Sequence, residues 1–409
     1  MRIETITCWR PRADLVDRFA APPYDVFDRN SARTYVAEHP TSFLAIDRPE
    51  TAFGEGQDIY APEVYAKAAE LLAARKADGT LMEDEAPCLF AYRLSADGRS
   101  QVGVVAACAV ENYLDGTVRR HELTLEAKVR DRVRHTEALG AQPGPVLLAY
   151  RDRVALDELV ARACEAEPVY DFEDASGVRH TVWCISDPAA TAALCAEFAQ
   201  VDAAYIADGH HRAEAATRIC AARRAARGEA APRAAYESFL ALLFPAAQLS
   251  VYPYDRVVAD SNGLGKDELL AAIGAAGFSV TPMAACELPA ARGRFAMRAF
   301  GTWFALAFTE STEGMDAVAS LDVSLLQSRV LAPLLGIDDP QTSSRVRYVG
   351  GNVSAAELEE MAGEDGVAFA LCATSVADLM AVADAGGIMP PKSTWFAPKP
   401  LSGLFVRSI

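Results

Sequence analysis

The most chemically loaded stretch of the chain is Asp208-Gly-His-His-Arg212, which follows the apolar run Ala203–Ala207 and precedes a helix-suited segment from Ala213. A strand that feeds a glycine turn at a helix start offers unpaired N–H groups and the positive end of the helix dipole, an arrangement that holds anions. Gly209 lets the backbone approach a ligand closely. Arg212 supplies a planar fork matched to phosphate oxygens, and His210 and His211 donate when protonated. Asp208 is a candidate magnesium ligand, directly or through water. The plain alternative is that Asp208 caps the helix and the two histidines are solvated.

A second cluster, Arg120-His-Glu-Leu-Thr124, stands at the mouth of a charged helix expected over Leu125–Ala138. His121-Glu122 resembles the start of a zinc-peptidase helix, but the second histidine that motif requires falls on Leu125. What remains is a carboxylate placed to act as a base, Glu122, with His121 and Thr124 beside it and Arg120 as an anion holder. A third cluster, Ala20-Ala-Pro-Pro-Tyr-Asp-Val26, is stiffened by its prolines and presents Tyr24 and Asp25 at a fixed place. Near the end of the chain, Lys392 and Lys399 flank Ser393 and Thr394 in a proline-rich strap suited to covering a phosphate.

If these clusters meet in one cleft, their chemistry fits phosphoryl transfer. That reaction needs positioned cations and amides, usually a divalent ion, and a carboxylate to deprotonate the attacking hydroxyl. The catalytic candidates are Glu122, Asp25 and His121. The nucleotide- and phosphate-binding candidates are Asp208, Gly209, His210, His211, Arg212, Arg120, Thr124 and Lys392, with Asp208 also the metal candidate. Three other classes stay open: a nucleotide-binding regulatory protein, a metal-dependent hydrolase using His210, His211 and His121, and an inactive scaffold that binds no nucleotide.

The elements that must position these groups read as follows. Helices are expected over Ser31–Glu38, Pro62–Lys76, Ala155–Ala166 and Pro188–Ala199. Hairpins are expected around Ser95–Gly98 and Asp174–Gly177. The helix after Arg212 runs to about Arg227, where a break at Gly228–Pro232 follows. Beyond Asp260, strands and helices alternate, with a helix over Leu321–Leu335. Asn262-Gly-Leu-Gly-Lys266 imitates the tail of a nucleotide-binding loop, but Asp267 replaces the required hydroxyl, so it reads as a structural turn.

The chain has 409 residues, 51% of them hydrophobic and 23% charged, which suits two or three ordinary globular domains. A net charge of -17 argues against nucleic acid as the main partner, because a duplex binder needs a basic face. Nine scattered cysteines without a C-x-x-C pair read as reduced thiols of a cytoplasmic protein. No apolar run approaches the roughly 20 residues that span a bilayer, so no membrane partner is expected. The expected partners are a small-molecule substrate and a nucleotide, with homodimerisation open.

The Asp208–Arg212 turn and the alanine-rich helix behind it resemble the phosphate-binding turn of the ParB/sulfiredoxin-like fold. That superfamily includes nucleotide-dependent partition proteins, sulfiredoxin, and free serine kinases that use ADP or ATP. Four stretches together resemble one prokaryotic family of unknown function across nearly the whole chain. They are Ala21–Val26, Arg120–Thr124 with Asp131-Arg132, Tyr205–Arg212, and Met389–Phe396 with Pro398-Lys399. The resemblance implies an α+β protein with a ParB/sulfiredoxin-like mixed core over 1–258, an additional α/β C-terminal domain over 259–385, and a strap over 386–409 returning to the core. It also implies a kinase-like phosphotransferase using ATP or ADP with Mg2+ on a small hydroxyl substrate such as free serine.

Overall fold

The computed structural model describes residues 1–227, 234–340, 342–351 and 353–409; the expected break at Gly228–Pro232 lies outside the described residues. The chain divides into two units, Met1–Leu249 with Pro398–Ile409, and Ser250–Ala397. Residues 386–397 therefore group with the second unit and the last twelve or so with the first.

Runs such as Val146-Leu-Leu-Ala-Tyr150 and Ser238-Phe-Leu-Ala-Leu-Leu-Phe-Pro245 carry no alternation, as befits strands covered on both faces. They lie at the centre of the first unit's nine-stranded sheet. In chain order its strands are β1 (Ile3–Glu4), β2 (Leu89–Ala96), β3 (Arg99–Ala109), β4 (Val118–Arg119), β5 (Val146–Tyr150), β6 (Tyr170–Glu173), β7 (Arg179–Ile185), β8 (Ala204–Asp208) and β9 (Ser238–Pro245). The spatial order is β4-β8-β5-β9-β3-β2-β7-β6, with β1 beside β3. Pairings β4/β8 and β5/β9 are parallel and the others antiparallel, giving a large mixed sheet. This is a mixed α+β unit.

Its helices are α1 (Arg29–Glu38), α2 (Pro62–Ala77), α3 (Glu126–Leu139), α4 (Val154–Ala163), α5 (Pro188–Phe198) and α6 (His210–Arg227), apart from one-turn pieces. Asp28 caps α1 by accepting from the Ser31 amide, and Asp187 caps α5 through Ala190. One core cluster joins Leu148, Ile206, Ile219 and Phe239. Another, around Phe19, Phe43, Leu72 and Val406, packs the first hundred residues against the end of the chain.

That end is tied down strand-like rather than loosely draped. The amides of Ala21 and Ser402 each donate to the other's carbonyl, at 3.1 and 2.8 Å, and Val406 bonds Trp9. Arg407 is buried and donates to the Ser238 carbonyl and to Gln142 Oε1. Gly403 sits at φ +76, and a Cβ there would lie 2.3 Å from Phe43 Cγ, so only glycine fits.

The second unit carries β10 (Val251–Tyr252), β11 (Tyr254–Val258), α7 (Lys266–Ala275), β12 (Phe278–Met283), β13 (Arg294–Ala299), β14 (Thr302–Phe308), β15 (Val346–Gly350), α8 (Ala355–Ala362), β16 (Val367–Leu371), α9 (Val376–Asp384) and β17 (Trp395–Phe396). Its six-stranded sheet has the order β12-β14-β13-β16-β11-β15, and every pairing is antiparallel. The alternation of strands and helices thus builds an antiparallel α+β layer, where an α/β domain was expected. The helix expected over Leu321–Leu335 is a short α-turn, Asp322–Leu326, that widens into a π-turn over Gln327–Leu331. Where the unit joins the rest of the chain, β10 pairs with β17 and the Ala397 amide donates to the Ser250 carbonyl at 3.3 Å.

All nine cysteines are free thiols. Among the described residues, no helix is long and apolar enough to cross a membrane.

Candidate functional site

Strand β8 ends in a bulge. Ile206 faces Leu148 and Asp208 faces Leu147, so Ala207 is an extra residue that re-aims the strand end. Gly209 follows at φ +95, and α6 begins at once, at His210. His210, His211 and Arg212 are therefore the first helical turn, three residues earlier than their polar character suggests. The first intrahelical bond runs from the Ala213 amide to the Gly209 carbonyl at 3.0 Å, so the three preceding amides have no intrahelical acceptor.

The Arg212 side chain folds back over this turn. A Cβ on Gly209 would lie 2.9 Å from Arg212 Nε. Arg212 Nη2 donates to Asp208 Oδ2 at 2.7 Å, and Nη1 donates to the Pro145 carbonyl. Lys399, delivered by the C-terminal segment, donates to Asp208 Oδ1 at 3.2 Å. Burial pulls the Asp208 carboxyl upward, but Lys399 and Arg212 outweigh it and hold the group well below the usual carboxylate range. The side chains of Asp208, Arg212 and Lys399 are only 23%, 16% and 16% exposed, so solvent screens this triad weakly.

The second cluster arrives from the segment between β4 and α3. His121 and His210 pack edge to face, ring centroids 4.5 Å apart, and both are buried. Burial pushes His121 down to about 4, with Asp208 and the Ile206 backbone opposing. His210 is also held neutral, first by burial and then by the neighbouring His121. Its Nδ1 lies 3.6 Å from Glu122 Oε2, whose side chain is 45% exposed. Glu122 is thus a carboxylate at the rim, backed by buried imidazoles. His211 is pushed down to about 4 by burial and then by Lys128, and its Nε2 accepts from the Leu125 amide at 3.1 Å. As a neutral acceptor it fastens the start of α3 to the start of α6.

The remaining candidates divide. Asp25, exposed on a one-turn helix after the two prolines, acts electrostatically on His211, Arg212 and Lys399. Arg120 is exposed and its charge bears on His210. Thr124 is half-buried in the same connecting segment. Lys392 belongs to the second unit, where its ammonium stands over the Tyr254 ring at 5.6 Å. Lys399 is the lysine that reaches Asp208. The two oxygens of Asp208, the metal candidate, accept from Arg212 and Lys399. Among the described residues, no three His, Cys, Asp or Glu side chains are placed to hold a metal ion.

Two residues that sequence reasoning left out, Asp47 and His135, line one cavity of the first unit together with Tyr24, Arg132 and Arg212. Arg132 stands 4.1 Å from the Tyr24 ring centroid and is fixed by Asp131, to which Nε and Nη2 donate at 2.9 and 2.6 Å. The signal available was the apolar spacing of Val129 and Leu139, which puts Arg132 and His135 on the buried stripe of α3. Asp47, in the apolar run Phe43-Leu-Ala-Ile-Asp, offered none.

The fold and site together define a mixed α+β protein with a charged strand-turn-helix beside a polar cavity. The chain belongs to the family described as "Protein of unknown function (DUF1015)", which it matches over residues 3–324. A comparison with curated proteins gave no match. Among solved structures, the chain is similar to a free serine kinase in complex with AMP, at 15% identity and a TM-score of 0.36, over 72% of this chain and 87% of that one. It is also similar to SbnI with a C-terminal truncation from Staphylococcus aureus (12% identity, TM-score 0.39, 74% and 87% covered). A conserved hypothetical protein from Pyrococcus furiosus is similar at 14% identity and a TM-score of 0.34, with 75% and 95% covered. Scores of this size describe a partial likeness.

Proposed function

We propose that the first unit is a nucleotide-dependent phosphotransferase with a ParB/sulfiredoxin-like core, acting on a small hydroxyl compound such as free serine. The observation that carries this reading is the convergence at the start of α6. Helix amides without an intrahelical acceptor, Lys399, the Arg212–Asp208 pair and the half-exposed Glu122 meet there from three distant parts of the sequence. Phosphate oxygens settle on the amides of His210 to Arg212 across Gly209, with Lys399 and Arg120 supplying charge. Lys399 takes the part first read for Lys392.

Glu122 is the base that orients and deprotonates the acceptor hydroxyl, and Asp25 is the second carboxylate within the same field. His121 and His210, held neutral, back Glu122 without competing for its proton. Arg212 acts on the nucleotide by holding Asp208 and the turn in shape. ATP or ADP is the phosphoryl donor, and Mg2+ belongs to the nucleotide phosphates rather than to Asp208. Neither the regulatory reading nor the hydrolase reading gains a specific observation here.

The test is a melting-temperature panel of ATP, ADP, AMP and CTP, followed by transfer of labelled phosphate to serine. A nucleotide at 100 times its Kd should add about 2.7 kcal/mol of stability. Glu122→Gln should keep that shift and lower turnover about 10²- to 10⁴-fold. No nucleotide shift and no labelled product with the intact protein would end the proposal.

A further inference from the structure

The cavity behind Arg212 contains polar groups that the reading above does not use. Asp47 is 1% exposed, and neither of its carboxylate oxygens has a hydrogen-bond partner among the described residues. His135, also 1% exposed, faces the same cavity. Its Nε2 stands 2.9 Å from the Ile46 carbonyl, which only accepts, so Nε2 carries the proton and Nδ1 is left as a lone pair. That Nδ1 likewise has no partner among the described residues. Burial and then Arg132 keep the ring neutral.

Three acceptors thus stand buried around one space. Arg132 and Arg212 act on Asp47 electrostatically, but Arg132 does not hydrogen-bond it, because its Nε and Nη2 donate to Asp131. Arg212 is likewise committed to Asp208 and Pro145. A buried carboxylate without partners is costly, and native proteins retain one chiefly where something else completes it. A primary ammonium carries one positive charge and three N–H donors, which matches one carboxylate and one imidazole lone pair in charge and in number. A bare metal ion fits less well, because among the described residues no three His, Cys, Asp or Glu side chains are placed to hold one.

We propose that the cavity lined by Asp47, His135, Tyr24, Arg132 and Arg212 is a binding site for the primary ammonium group of a small polar molecule. Since Arg212 borders both the cavity and the phosphate turn, the molecule's hydroxyl end faces the transferred group. That last role rests on the phosphotransfer reading, whereas the ammonium site does not.

The experiment uses the full chain without nucleotide and compares 2-aminoethanol and methylammonium with 1,2-ethanediol and methanol. Melting temperature and calorimetric titration are the readouts. The amines should raise the melting temperature at millimolar concentrations and the alcohols should not. Asp47→Asn should abolish the amine response in a protein whose cooperative melting shows that it still folds. His135→Gln should weaken amine binding about tenfold, and it provides a second readout if the first variant misfolds. Equal responses to amines and alcohols would mean ordered water fills the cavity, and an amine response surviving in Asp47→Asn would place the site elsewhere; either result overturns the proposal. Nucleotide binding without amine binding refutes this inference alone. Amine binding without nucleotide binding refutes the phosphotransfer reading alone.

Discussion

Arg212 shows how a residue's type can be right while its task differs. Its guanidinium suits a phosphate, yet the fork is committed to Asp208 and the Pro145 carbonyl. Removing it strands a sheltered carboxylate on Lys399 alone and leaves a carbonyl unpaired. Arg212→Gln should therefore lower the unfolding free energy of the ligand-free protein by about 2 kcal/mol, read from urea denaturation. An unchanged midpoint and slope would mean the side chain is free for ligand after all. Asp47 makes the opposite point, since nothing in the apolar residues Phe43 to Ile46 marks the acid that follows them as more than a helix end.

At the level of elements, the strand, glycine turn and helix around Asp208 were legible, because an apolar run, a glycine and an alanine-rich stretch each have one natural reading. The helix start was not. Two histidines and an arginine look like loop, but the Ala207 bulge and Gly209 turn the chain early enough to place all three in the first turn. The charged helix α3 was legible as a helix and illegible as a wall of the cavity. Burying Arg132 and His135 depends on partners from residues 24, 46 and 131 that no local pattern reveals. The turn itself has a sharp test. Gly209→Ala meets both a left-handed backbone, about 1–2 kcal/mol, and a Cβ 2.9 Å from Arg212 Nε. It should destabilise the protein and abolish the nucleotide-dependent melting shift, whereas an unaffected shift would remove the turn from the binding site.

Across the whole molecule, acid sensitivity follows from the buried imidazoles. His121 and His211 titrate near 4 in the folded chain, against about 6.5 when unfolded. Between those values protons bind the unfolded chain more than the native one, so stability falls as the pH drops from about 6.5 to about 4. His210 and His135, also depressed, extend the same trend. Asp208, depressed as an acid, adds stability above the ordinary carboxylate range that is lost only at still lower pH. Denaturation midpoints should stay level from pH 7.5 to about 6.5 and decline from there to 4.5, and His121→Gln should flatten the slope. A flat profile in the wild-type protein would contradict neutral burial of these rings.

The order of synthesis carries one more consequence. The first unit is left at Leu249 and regained at Pro398, with the intervening chain entering and leaving beside itself where β10 meets β17. Lys399, Ser402 and Arg407 therefore emerge from the ribosome only after everything from Ser250 to Ala397 has been made. All nine strands of the central sheet are synthesised well before the lysine that neutralises Asp208, so the turn at the start of α6 gains that contact late.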